Sequence, residues 1–342
     1  MIKPTIIVAT NRVIVLGSGV LIAYLSTKTL SLVEQGYFFT FLSISAAQIL
    51  FELGFTRLVL HEISHARSML IAETKPYNIT RAKEYLENAV GYSGKYFNRA
   101  AIIYIIIVGG GGLAFFSLNE SEVKWGVPWI LMTFGTALGL NNLHYYVCLE
   151  ALGRLNTSYT IRTKNSLILL LAFSTFAALG SGLYSYPLSI ISANLIAYRL
   201  IRKEYNYEKK KIGVSEKIKN QINLGESQKK LAVSSIAGYI TANSFTPYAF
   251  HYFSPEMAGK IGLTFAIFNA VATVSMAWAT ADLPRYGQLI AEKDWSKFSK
   301  NLHVSILLTG AIALLGALLV VMIRYNFPSV SLSFTERVLN NR

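Results

Sequence analysis

The 342-residue chain is 53% hydrophobic and only 15% charged, with a mean hydropathy of +0.41, whereas a soluble domain carries about 25% charged residues. Its formal net charge of +14 reads as the Lys and Arg excess of cytoplasmic loops rather than a nucleic-acid footprint, because the basic residues lie between apolar segments. A single cysteine, Cys148, excludes an intrachain disulfide and any cysteine-rich metal site.

Apolar runs of about 20 residues match a hydrocarbon core of roughly 30 Å, and the chain reads as an all-α polytopic membrane protein with about nine such helices. The first is expected from Thr5 to Leu25 and contains Arg12, and the second from Gly36 to Phe55 and contains Glu52. The polar stretch 56–98 follows. Within it Ala82, Tyr85, Leu86, Ala89 and Val90 fall at helical spacing, which predicts an amphipathic helix over 80–95 on the inner membrane surface. The third span, Arg99 to Leu118, contains four glycines, Gly109 to Gly112, which permit close helix contact or a bend. The fourth is Val127 to Leu149, the fifth Ser166 to Leu183 and the sixth Leu188 to Ile201.

A basic linker follows at 202–230, in a stretch from Arg199 to Lys230 that holds ten Lys and Arg. The seventh span, Leu231 to Phe253, is unusually polar and contains Pro247, which predicts a kink. The eighth runs from Ile261 to Ala281 and the ninth from Leu302 to Ile323. The expected organisation is therefore a six-helix bundle over 1–201, the cytoplasmic linker 202–230, and a partial second bundle over 231–342. With the N-terminus inside, the inner loops hold 24 basic residues and the outer loops 4, the asymmetry expected of this register.

The stretches EQGYFFTFLSISAAQILFELGFTRLVLHEISH, Glu34 to His65, and AGYITANSFTPYAFHYFSPEMAGKIGLTFAIFNAVATVSMAWATADLPRYGQLIAEKDW, Ala237 to Trp295, resemble the O-antigen and polysaccharide flippases of the multidrug/oligosaccharidyl-lipid/polysaccharide exporter superfamily. The resemblance implies two six-helix bundles around a central cavity, alternating access, and a cytoplasmic link between the sixth and seventh helices. It implies a bacterial inner-membrane location with a cytoplasmic N-terminus. The cargo it implies is a polyprenyl-pyrophosphate-linked glycan, with the lipid bilayer and polysaccharide polymerase machinery as further partners, and with no cofactor, metal or enzymatic step. The chain departs from the pattern by showing about nine spans rather than twelve.

A pyrophosphate cargo calls for buried cations, and Arg grips phosphate oxygens bidentately. Arg12 is the first candidate, expected to face the protein interior at its depth in the first span. Glu52 lies at similar depth in the antiparallel second span, where it would pair with Arg12 or carry a coupling proton. Arg57 and Arg99, at the inner ends of the second and third spans, are further cations. Asn141, Asn142, His144 and Asn243 are intramembrane polar residues suited to sugar hydroxyls, or to interhelical hydrogen bonds. Two other functions stay open. A drug exporter would be expected to bury more acids than Glu52. A membrane-embedded polymerase or glycosyltransferase would need a large outer loop, and the outer loops are about ten residues or fewer.

Overall fold

The computed structural model describes residues 4–52, 54–72, 76–118, 122–213, 226–281, 286, 289–290 and 292–326. All regular structure among them is helical. Among the described residues, five helical stretches are long and apolar enough to cross a membrane: Ile7–Thr29, Leu32–Ile71, Ile79–Ser117, Pro255–Met276 and Trp295–Leu318. The chain divides into two compact units, Met1–Ala258 and Gly259–Arg342.

The first unit opens with α1 (Pro4–Thr29), which packs along α8 (Leu155–Ala178). Ser31 then caps α2 (Leu32–Ser45) in a reciprocal capping box with Glu34, which satisfies two donors at the helix start. The expected second span is interrupted. A turn at Ala46 and Ala47 separates α2 from α3 (Gln48–Glu52), and Gly54, at φ 71°, leads into α4 (Phe55–Ala72). The interruption fits the length. The stretch Leu32–Ile71 holds 40 residues, or about 60 Å of helix, twice the hydrocarbon thickness.

The amphipathic segment is helical, but its apolar stripe packs on protein rather than on a membrane surface. It belongs to α5 (Pro76–Tyr104), which packs against α4 and α7 (Gly126–Ala151). Ala82, Leu86, Ala89 and Val90 are at most 2% exposed, and Phe97 is fully buried. Tyr85 alone of the stripe points outward, 42% exposed. Amphipathicity reports that a face is covered, not by what.

The four glycines lie at a change of helical winding. α5 passes into a π-helical turn, Ile105–Gly109, and then α6 (Gly110–Ser117). The Gly109 carbonyl accepts a hydrogen bond from Trp129 Nε1 at 2.9 Å. A β-carbon at Gly112 would lie 2.1 Å from the same indole. The π-turn and the missing side chain together let a fully buried Trp129 dock across α6 and α7.

α7, α8 and α9 (Ser185–Ile212) pack closely on one another. Asn194 of α9 donates to the Gly135 carbonyl at 2.9 Å, and its own carbonyl accepts from Asn142 at 3.0 Å. The expected sixth span ends near Ile201, yet α9 continues to Ile212, where Gly213 adopts φ 69° as a left-handed cap. Two features hold this extension in helical form. Tyr205 and Glu208 are buried, with Glu208 3.3 Å from Arg154, and Lys209, Lys210 and Lys211 lie in the last turn, where positive charge offsets the helix dipole. Of the expected linker 202–230, residues 202–212 are thus helix and 214–225 lie outside the described residues.

The expected seventh span is two helices, α10 (Glu226–Asn243) and α11 (Phe245–Tyr252). Both belong to the first unit. Phe250 of α11 sits 4.8 Å from Tyr37 and 5.4 Å from Phe116 between ring centroids, and Phe41 and Trp129 complete this buried aromatic cluster. A β-carbon at Gly36 of α2 would lie 1.9 Å from the Pro255 carbonyl oxygen.

α12 (Pro255–Ala281) begins in the first unit, and from Gly259 onward it builds the second unit with α13 (Trp295–Asn326). A β-carbon at Gly316 would lie 2.6 Å from Val271 Cγ1, so the two helices meet closely there. The Tyr286 hydroxyl donates to Ser305 Oγ at 2.6 Å.

Candidate functional site

Pro247 shapes the site. It has no backbone N–H, and its ring clashes with the carbonyl four residues earlier, that of Asn243. The chain accordingly breaks at Ser244, between α10 and α11. The Asn243 side chain turns back to donate to the Tyr239 carbonyl at 3.3 Å, and the Tyr239 hydroxyl donates to the Ser43 carbonyl at 3.4 Å. Across from the break, Gly111 and Gly112 of α6 contribute no side chains. An open cavity of about 300 Å³ remains, lined by Ile44, Gly111, Gly112, Phe115, Tyr239, Asn243, Ser244 and Pro247. Its polar groups are neutral, with an amide, two hydroxyls and local backbone as hydrogen-bonding partners. Its volume lies at the lower end of the range for ligand pockets, about 300–1,000 Å³.

Of the residues singled out from sequence, Asn243 lines this cavity. Arg12 does not face the interior as expected. It is exposed, whereas the neighbouring Asn11 is 6% exposed and donates to Thr163 Oγ1 of α8 at 3.0 Å. Adjacent residues point about 100° apart around a helix, and the buried one of the two is Asn11. Glu52 is half-buried at the end of α3 and accepts a hydrogen bond from Thr56. Its helix packs against α5, α7 and α10, whereas α1 packs against α8 and α2. Arg57 and Arg99 are both exposed.

Asn141 is half-buried on α7. Asn142 is buried and holds α7 to α9 through the Asn194 carbonyl. His144 is buried where α5 meets α7, its Nδ1 2.5 Å from Ser93 Oγ and 3.6 Å from Cys148 Sγ. These last two residues therefore join helices.

The sequence reasoning did not single out Tyr239, and it read Gly111 for helix contact and Ser244 for the polarity of its span rather than as parts of a site. Pro247 was the available signal, since its clash with the fourth residue back marks Asn243 and Ser244 as the break. It also missed a charged cluster among α7, α8 and α9. Glu150 Oε1 accepts from Arg162 Nη2 at 3.0 Å, Arg162 Nε at 3.2 Å and Ser158 Oγ at 2.7 Å, while Arg162 lies 4.2 Å from the Tyr146 ring centre. Arg154 lies 3.6 Å from Glu204 as well as near Glu208. Arg162 thus pairs with Glu150, and Arg154 is shared between Glu204 and Glu208, which ties these three helices together.

No protein-family model, curated protein or solved structure matches the chain.

Proposed function

We propose that the protein is a transporter, not an enzyme, that flips a polyprenyl-pyrophosphate-linked oligosaccharide across the bacterial inner membrane by alternating access. The observation that carries the reading is the cavity at the α10–α11 break, whose largely apolar wall carries one amide and two hydroxyls. Interrupted helices line the substrate sites of many transporters, because a freed backbone is tolerated in a membrane only where it meets protein or a water-filled cavity. Neutral amide and hydroxyl groups suit sugar hydroxyls, and the exposed Arg12, Arg57 and Arg99 are the candidate cations for the pyrophosphate. The reading takes α7, α8, α9 and the α10–α11 pair as spans too, which with the five apolar stretches gives nine. Their polar residues lower their hydropathy, but those residues are largely spent on neighbouring helices, as Asn142 and Asn194 are. A cytoplasmic N-terminus follows from the distribution of basic loop residues.

A small-molecule exporter is the second reading, favoured by the modest size of the cavity. Both readings meet one experiment. The protein is reconstituted into liposomes with a fluorescent short-chain polyprenyl-pyrophosphate oligosaccharide, and the leaflet exposed to a membrane-impermeant quencher is followed in time. Flipping above protein-free liposomes is expected. Asn243→Leu is expected to slow it about fivefold, the worth of one hydrogen bond of roughly 1 kcal/mol. Uptake of a cationic dye without glycolipid flipping would establish the exporter and overturn the flippase.

A further inference from the structure

We propose that His61 and His65 form a binding site for a divalent late transition-metal ion, held by two imidazoles and water. The segment reads His61-Glu62-Ile63-Ser64-His65. It lies inside α4, helical from Phe55 to Ala72, so residues four apart share a face. Val59, Ile63 and Ala66 are at most 1% exposed and anchor the opposite side of the helix. That register turns both histidines outward, and both are exposed. Their rings lie 6.3 Å apart between centroids and within 8° of parallel. A metal bound at about 2.0–2.1 Å from each nitrogen needs those nitrogens within about 4 Å of one another. Exposed side chains reach that by rotation about χ1 and χ2.

A carboxylate stands beside His61 as a second-shell partner. Glu62 Oε1 lies 3.6 Å from His61 Nδ1. The other carboxylate oxygen, Oε2, accepts a hydrogen bond from the Tyr85 hydroxyl of α5. Metal-bound imidazoles generally direct their second ring N–H to a carboxylate, which fixes the tautomer and raises the basicity of the ligand. Once Glu62, held by Tyr85, closes to hydrogen-bonding distance of His61 Nδ1, His61 Nε2 is left for the ion. Among the described residues no third His, Cys, Asp or Glu completes a cluster, so water supplies the remaining coordination.

The same five-residue spacing occurs in zinc hydrolases, where the glutamate is the general base. Here the Glu62 side chain is only 19% exposed and is tied to Tyr85, so the arrangement supports binding and not hydrolysis. The order of affinities for nitrogen ligands places Cu²⁺ above Ni²⁺ and Zn²⁺. A bound ion would cross-link one turn of α4 beside α5.

The test uses the full chain in detergent, purified with a tag that contains no histidine and titrated with Zn²⁺ against a fluorescent chelator. One Zn²⁺ per chain is expected. His61→Ala and His65→Ala should each abolish that binding, and Glu62→Gln should weaken it roughly tenfold or more, the usual effect of losing a second-shell partner. Cu²⁺ should show the hyperfine pattern of two nitrogen ligands in electron paramagnetic resonance, and should lose one of them in either histidine variant. Unchanged far-ultraviolet circular dichroism would establish that the variants fold. Absence of saturable Zn²⁺ binding to the parent chain, or stoichiometric binding that survives either histidine substitution, would overturn the proposal.

Discussion

Trp129 and Gly112 carry the tightest steric requirement at the residue scale. The indole donates to the Gly109 carbonyl and occupies the space a Gly112 side chain would take. Gly112→Ala should therefore destabilise the first unit by about 1–3 kcal/mol, the usual penalty for overpacking. Trp129→Phe keeps most of the ring but leaves the Gly109 carbonyl buried without its donor, at a cost of about 1–3 kcal/mol. Thermal unfolding in detergent would measure both, and an unchanged midpoint for Gly112→Ala would refute this packing. Asp294 gives a pH-dependent case. Its carboxylate accepts from the Lys297 backbone N–H at 3.1 Å and pairs with Lys297 Nζ at 2.7 Å. Hydrogen bonding to the Lys297 side chain, then to its backbone, holds the Asp294 pKa below the ordinary carboxylate value. A depressed folded-state pKa means that the cap's contribution is present above the unfolded value of about 3.9 and is lost as pH falls through the lower folded value. At neutral pH, exchange of the Lys297 amide should be faster in Asp294→Ala than in the parent, and Asp294→Asn should restore most of the protection.

Breaks and extensions of helices, rather than their existence, set the arrangement at the element scale. Pro247→Ala returns a backbone N–H and removes the clash with the Asn243 carbonyl. The variant should unfold at the same temperature or higher, while α10 and α11 move toward one continuous helix and glycolipid flipping falls several-fold. Equal transport rates in parent and variant would separate the break from function. The α4–α5 pair extends the same logic. Its apolar stripe pointed to a bilayer surface, but Leu86 and Val90 are buried against protein. Both outcomes share one sequence pattern, since a period of 3.6 records a covered face and not the covering.

At the scale of the whole molecule, the proposed nine-span arrangement is open to direct test. In a Cys148→Ala background, Lys210→Cys should be protected from a membrane-impermeant thiol reagent applied outside the cell, and Lys124→Cys should react. Lys210 lies in the helical extension of α9, and Lys124 is exposed before α7. The opposite labelling pattern would reverse the assigned orientation. The compact units meet between Ala258 and Gly259, not in the basic linker. The aromatic cluster around Phe250 gives the physical reason, because burying those rings against Tyr37 and Phe116 holds α11 to α2 and α6.

Composition and apolar run length by themselves determined that the regular structure of the described residues is helical and includes several helices of membrane-spanning length, because a bilayer leaves each such segment's backbone to bond within itself. Arg12 and Asn11 mark where that reasoning stopped. Depth along the chain can be counted, but which of two adjacent residues is buried depends on the rotation of α1, and packing against α8 decides it. The same holds for Asn142, Asn194 and His144, whose polarity was visible but whose partners lie on other helices. Pro247 announced a kink in the sequence, yet the cavity beside it exists only because Gly111 and Gly112, more than a hundred residues earlier, are folded opposite. Local preference fixes where a helix stops, and only tertiary packing decides what its open end faces.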